Sequence, residues 1–310
     1  MTPDQLLKQI RINRELIVSN NLHAYEHLQM LKADYMHLAN EEIILSLELN
    51  NTLAEIYYHS NYSAALENSL RVVRMYPSTT HTDLLSLHYK HIGFCYSNMG
   101  DFAAAEKSLL NALACTEPDN PSHLMIRSDI YHTLAMNHEM IEEGSPKSIE
   151  YLQYAMEGLD EVAHADKIAN CQMGMGNVYN NMEKVEQALE YYLQAVATFE
   201  HSFKLSNMAS AYSNIGNCYI KLGELDKAEM YLEKSLELRA KFASPDDLSI
   251  SYYNLAIVYK ERKQYERAKD YLLKARTILE QAGAKPYIAE VNDRLAELEM
   301  LASNAAVKWR

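Results

Sequence analysis

Six times along this chain a small residue returns at nearly the same interval: Ala54, Gly93, Ala135, Gly176, Gly216 and Ala256, separated by 39, 42, 41, 40 and 40 positions. One residue earlier stands Leu53, Ile92, Leu134, Met175, Ile215 or Leu255; three residues later comes Tyr57, Tyr96, His138, Tyr179, Tyr219 or Tyr259. A second small residue follows 11 to 13 positions on, at Ala65, Ala105, Ser148, Ala188, Ala228 and Ala268. A third lies seven beyond it, at Val72, Ala112, Ala155, Ala195, Ser235 and Ala275. A period of this size belongs to an array of stacked supersecondary units.

The spacings within a unit identify those units as helical. Apolar and small residues at i, i+3, i+4 and i+7 share one face of a helix. Gly or Ala at a crossing point lets two helix backbones approach while longer neighbours interdigitate around it. One helical pair cannot bury its apolar face alone, so stacked neighbours must complete the core. The predicted fold is therefore all-α, an α-solenoid of stacked antiparallel helix pairs. Turn signals fall where this scheme needs them. Gly100-Asp101 and Gly223 follow first helices, at the place a left-handed C-terminal residue is favoured. The run EEGSPK (142–147) absorbs the extra residue before Ser148. Between units, Ser244-Pro245-Asp246-Asp247 supplies an N-cap, a first-turn proline and first-turn acids. Pro77, Pro118 and Pro121 mark two further loops, and Gly283 and Pro286 set off a terminal helix.

The segments from Tyr89 (YKHIGFCYSNMGDFAAAEKSL), Tyr212 (YSNIGNCYIKLGELDKAEMYL) and Tyr252 (YYNLAIVYKERKQYERAKDYL) resemble tetratricopeptide repeats. That family combines a small residue, an aromatic three later, and alanine twice in the second helix. The resemblance implies a right-handed superhelix. We expect a degenerate N-terminal helical pair over 1–40, six repeats over 41–281, a capping helix over 286–302 and a tail over 303–310. The aromatic that usually opens the first helix is present as Tyr89, Tyr131, Tyr212 and Tyr252, but Asn50 and Gln172 replace it in two units. The period near 40 exceeds the family's usual one. It resembles the long repeats of kinesin light chains, Pins-type spindle adaptors and the bacterial Rap and PlcR peptide receptors.

Composition bounds the function. A formal charge of −13, from 29 basic and 42 acidic side chains, repels phosphates, and the basic groups form no cluster. Nucleic acid and membrane surfaces are therefore not expected partners. No apolar run approaches the roughly 18 residues that span a bilayer. The first twenty residues carry charges throughout and lack a signal peptide's apolar core. Cys95, Cys115, Cys171 and Cys218 are scattered, as in a reducing compartment, so a cytoplasmic location is expected.

In a repeat array, first-helix residues that do not pack are the candidates for ligand contact. Around Gly176 these are Asn170, Met173, Asn177, Asn180 and Asn181; around Gly216, Ser210, Ser213, Asn214, Asn217 and Lys221; around Ala256, Tyr253, Asn254, Ile257, Lys260 and Glu261. Asn177 and Asn217 are 40 apart, as are Asn214 and Asn254, so each pair is registered in adjoining units. An amide offers both a donor and an acceptor, matching the alternating groups of an extended peptide. In the long-repeat families the resemblance implies that such asparagines grip a peptide backbone. We therefore predict a peptide-binding set of Asn177, Asn180, Asn181, Asn214, Asn217, Asn254, Met173, Lys221, Tyr253 and Lys260. The carboxylate clamp of another variant of the family is not expected, because Met173, Ile250 and Asn254 stand where cations would be required. Met136, Met140 and Met173 are assigned to core packing, and the ladder Tyr96, Tyr179, Tyr219 and Tyr259 to structure. His23/His27 and His88/His91 have helical spacing but lack a third ligand, so no metal is expected. No phosphate loop, nucleophile elbow or dinucleotide turn is present, and neither catalysis nor a cofactor is expected. The predicted function is a protein- or peptide-binding adaptor or regulator using a concave groove. The alternative is the peptide-sensing module of a bacterial signalling protein. Residues 1–40 are too short for the helical bundle that Rap proteins carry and lack a helix-turn-helix pattern.

Overall fold

The computed structural model of the protein describes residues 2–19, 22–38, 40–57, 59–77, 79–202, 204–242, 245–282 and 285–307. Ser244 and Gly283, assigned above to a cap and a helix stop, lie outside the described residues. Two compact units make up the chain, Met1–Gly158 and Leu159–Arg310. The first contains α1 (Pro3–Val18), α2 (Leu22–Tyr35), α3 (Glu41–Tyr57), α4 (Tyr62–Met75), α5 (Thr82–Asn98), α6 (Phe102–Ala114), α7 (Leu124–Ile141) and α8 (Pro146–Met156). The second contains α9 (Ala165–Asn181), α10 (Val185–Ser202), α11 (Leu205–Lys221), α12 (Leu225–Phe242), α13 (Pro245–Glu261), α14 (Tyr265–Ala282) and α15 (Lys285–Val307). Among the described residues there is no strand.

In both units consecutive helices pack as pairs, and each pair stacks on the next. The fold is all-α, as expected. All eighteen registered small positions are buried, from Ala54, Ala65 and Val72 in α3 and α4 to Ala256, Ala268 and Ala275 in α13 and α14. First helices of successive pairs also meet, with α1 against α3, α3 against α5, α5 against α7, and α11 against α13. Those contacts create the face on which unpacked first-helix residues stand.

The turn inside a pair has one recurring geometry. In the repeat around Gly216, Glu224 N–H donates to Tyr219 O at 2.9 Å and Gly223 N–H to Ile220 O at 3.0 Å. Lys184 to Tyr179, Gln264 to Tyr259 and Asp101 to Tyr96 repeat the longer bond. Orphan carbonyls at the helix end are thereby satisfied by a left-handed residue. Asp101 and Asn61 then cap α6 and α4, accepting from Ala104 N–H at 3.0 Å and Ala64 N–H at 3.2 Å.

The tyrosine ladder has a second rail. Tyr179 stacks on Tyr191, Tyr219 on Tyr231 and Tyr259 on Tyr271, with ring centroids 5.3, 5.6 and 5.2 Å apart. Where histidine replaces the first aromatic, His138 still meets Tyr151, at 5.4 Å. Tyr151, Tyr191, Tyr231 and Tyr271 recur every 40 residues. The structural assignment of the ladder thus includes a partner row that the sequence displays just as regularly.

Both departures from the opening aromatic are explained by hydrogen bonding. Asn50 is buried, and its amide donates to Ile10 O at 2.9 Å and Asn13 Oδ1 at 3.1 Å. Gln172 accepts from Thr198 Oγ1 at 3.0 Å. In each case a polar group at a packed position has a partner, as burial requires.

One packing assignment is corrected. Met136 and Met140 are 52% and 64% exposed on α7 rather than in the core. Their register explains it: they lie one and five residues past Ala135, the same offsets as Asn177 and Asn181 past Gly176. Asn177 and Asn181 at those offsets are likewise exposed. Met173, three residues before Gly176, does pack against the core.

Candidate functional site

The first helices α9, α11 and α13 carry the predicted amides, and within the second unit they form a pocket of about 300 Å³. Asn180, Tyr192, Asn214, Asn217, Ile220, Lys221, Asn254 and Ile257 line it. Five of the ten predicted residues therefore converge: Asn180, Asn214, Asn217, Lys221 and Asn254. Asn177 stands at the same face, where its Oδ1 accepts from Tyr192 O–H at 2.7 Å and from Asn214 Nδ2 at 3.3 Å. Lys221, ending α11, donates to Asn180 Oδ1 at 2.7 Å. The bonds from Asn214 and Lys221 cross from α11 to α9 and hold the amides in register between repeats, while Tyr192 reaches Asn177 from α10.

The amides differ in what they still have to offer. Asn254 is buried and donates to Ser213 Oγ at 2.9 Å, so it ties α13 to α11 as well as edging the pocket. Asn214 spends one N–H on Asn177. Asn217 is half-buried in the pocket and makes no side-chain hydrogen bond to another described residue.

Three predicted residues are placed elsewhere. Asn181 is exposed and does not line the pocket. Tyr253 and Lys260 belong to a polar chain joining α13 to α15. Tyr253 O–H donates to Glu290 Oε1 at 2.9 Å and accepts from Arg294 Nε at 3.1 Å. Arg294 reaches Glu297 at 3.2 Å, and Lys260 reaches the same carboxylate at 2.6 Å. Hydrogen bonds from Lys260 and Arg294 hold the Glu297 carboxyl below its ordinary range. Met173, packed against the core, is the remaining member.

Tyr192 was not legible as a site residue. It occupies the place taken by Leu232 and Leu272 one and two repeats on, where its ring fills the space left by Gly176. Burial pushes its phenol well above the usual range, so the hydroxyl remains a donor. A hydroxyl at a leucine position of the repeat is the signal that marks it. Beneath the pocket, burial lifts the Cys218 thiol to about 11, which leaves it un-ionised.

Nothing in this arrangement brings a nucleophile to a base. Among the described residues no three His, Cys, Asp or Glu side chains gather as a metal site would require, and no helix is long and apolar enough to cross a membrane. What the pocket presents is a set of neutral donors and acceptors, one lysine and two isoleucine walls.

Residues 169–200 and 207–281 match family models described as tetratricopeptide repeat. No curated protein sequence matches the chain. Among solved structures, RapI in its apo form superimposes with a TM-score of 0.76 at 19% identity, over 97% of this chain and 85% of that one. NprR in complex with its cognate peptide NprX gives 0.59 at 19% identity, over 97% and 84%. BtubC from P. vanneervenii gives 0.61 at 24% identity, over 72% and 90%. At these identities the likeness is one of fold.

Proposed function

We propose that this chain, a tetratricopeptide-repeat protein, is a non-catalytic regulator or adaptor that holds an extended protein segment on the first-helix face of α9, α11 and α13. One observation carries the reading: Asn217 lines a pocket without a side-chain hydrogen bond to another described residue, while the other amides there are already fixed in register. An amide able both to donate and to accept matches the main chain of an extended peptide rather than one particular side chain. The cytoplasm is the compartment that suits its scattered cysteines, of which Cys95, Cys171 and Cys218 are buried, and the −13 charge argues against nucleic acid as the ligand. A second reading, a peptide-sensing module of a bacterial signalling protein, draws support from the fold shared with NprR, which was solved with a cognate peptide. Both readings use the same face.

The test is selection of peptides from a random heptapeptide library by the full chain, followed by calorimetric titration of the winners against Asn217→Ala and Asn214→Ala/Asn217→Ala. Each lost backbone bond should cost about 0.5–1.5 kcal/mol of binding. Sequences of different composition should weaken by similar amounts. Full affinity in the double variant would remove the amide face from the function.

A further inference from the structure

Beyond the amide pocket the second unit contains an apolar cleft of about 250 Å³ where α13, α14 and α15 meet. Ile250 and Tyr253 of α13, Leu279 of α14, and Tyr287 and Val291 of α15 form its walls. Ile250 and Tyr287 are 47% and 60% exposed, so the cleft is open at its rim, while Leu279 and Val291 are buried at its floor. Among the described residues Glu290 is the single charged side chain lining it. Its Oε1 accepts from Tyr253 O–H, and among the described residues no cation lies within 4.0 Å of the carboxylate. The contrast with Glu297 is direct: that carboxylate is answered by both Lys260 and Arg294.

The cleft lies along α13 from the candidate site, linked to it by shared lining residues. Ile257 lines both the amide pocket and a depression of about 170 Å³, and Tyr253 lines both that depression and the cleft. A segment held by the amides and running along α13 would meet this cleft next.

We infer that the cleft is an anchor pocket for a bulky apolar side chain of the held segment, with a cation beside that side chain meeting Glu290. This rests on the peptide-holding reading above and adds sequence preference to it. An open cleft with an apolar floor stabilises a Leu, Ile, Met or Phe side chain by removing its surface from water. A carboxylate with one neutral hydroxyl partner at the apolar rim gains a stronger, charge-assisted bond from an ammonium or guanidinium. That cation is a Lys or Arg neighbour or a free N-terminal amine.

The experiment uses the full chain and two versions of the heptapeptide library, one with free N-termini and one acetylated. The expected result is enrichment of an apolar residue adjacent to Lys or Arg in both versions, or next to the terminus in the free version alone if the amine is the cation. Ile250→Asp should reduce binding of the selected peptides about tenfold. Glu290→Lys should exchange the flanking preference from basic to acidic. Both side chains are exposed, and circular dichroism melts establish that each variant is folded. Peptides that bind without an apolar–basic preference, or whose preference survives both variants, would overturn the anchor while leaving the amide reading intact. Absence of any selected peptide would overturn both. Sequence-independent weakening by Asn214→Ala/Asn217→Ala, with the preference unchanged, separates backbone holding from the anchor.

Discussion

A Cβ added at Gly216 would stand 2.6 Å from Leu232 Cγ and 3.3 Å from Ala228 O; at Gly93 the same atom would meet Leu109 at 2.6 Å and Ala105 O at 3.1 Å. The leucine can give way in part, but the carbonyl belongs to a helix backbone and cannot. Gly216→Leu should therefore destabilise the protein by about 1–3 kcal/mol through overpacking, read as a lower thermal midpoint. An unchanged melting profile would remove Gly216 from the helix crossing. A second residue-scale effect has nothing to do with space. At the turn inside each pair Gly223 has φ +76°, with no atom within 4 Å of an added Cβ, whereas the equivalent Glu183 and Lys263 hold φ of 60°. The left-handed region costs an L-residue roughly 1–2 kcal/mol, part of which glycine's greater unfolded-state freedom offsets. Glu183→Gly should thus stabilise by about 0.5–1 kcal/mol, and Gly223→Ala should destabilise by a similar amount. Denaturant titration checks the pair, and equal signs for the two would contradict the conformational explanation.

At the scale of elements, the repeat was legible because every small position is set by contact with a neighbouring helix, and that demand recurs with the period. The residues that were misread or unread are those where one repeat departs from the others. Met136 and Met140 have the composition of a core and the register of a face; register decides. Tyr192 substitutes for a core leucine and carries a hydroxyl into the pocket. Tyr253 and Lys260 stand on the predicted face, but α15 occupies the place of the next first helix and engages both. The same period continues into α15, where Leu295 and Ala296 fall 40 residues after Leu255 and Ala256, and Glu299 falls 40 after Tyr259. We propose that α15 is a first helix turned cap, its apolar side covering the last repeat and a carboxylate ending the tyrosine ladder. Val291, Leu295 and Leu298 are buried there, in a cluster with Ala256, Leu272 and Leu279. Deleting 285–310 should leave that edge open to water and cause self-association, seen as a concentration-dependent mass in light scattering. A truncated chain that stays monomeric with its original melting point would show that α15 caps nothing.

Over the whole molecule the two units differ in how they should respond to acid. In the first, His88 is buried between Ser69 Oγ, 3.1 Å from Nδ1, and Leu45 O, 3.2 Å from Nε2, and desolvation lowers its pKa to about 4. Burial likewise holds His91 well below the ordinary histidine range, with the Lys90 charge adding to the effect. A histidine neutral in the fold but protonated near pH 6.5 once unfolded binds more protons in the unfolded state throughout that window. Its contribution is complete above about pH 6.5 and is lost as pH falls towards 4, at roughly 1.4 kcal/mol per pH unit for each such group. In the second unit no buried histidine occurs among the described residues. The groups held away from their ordinary range there include Glu229 and Glu297, both lowered. Hydrogen bonds from Tyr259 and Arg262, and from Lys260 and Arg294, outweigh desolvation at these carboxylates, so their contributions fade below the ordinary carboxylate range. Each unit has its own core clusters, and in a repeat array local opening follows local stability. Lowering the pH from 7 to 4.5 should therefore release amide protection in α3 to α6 before α9 to α14, followed by hydrogen exchange with mass spectrometry. His88→Gln should weaken this dependence in the first unit by about half, whatever its own stability, because one of the two titrating rings is gone and His91 remains. Simultaneous loss of protection in both units, or earlier loss in the second, would rule out the buried histidines as the acid-sensitive element.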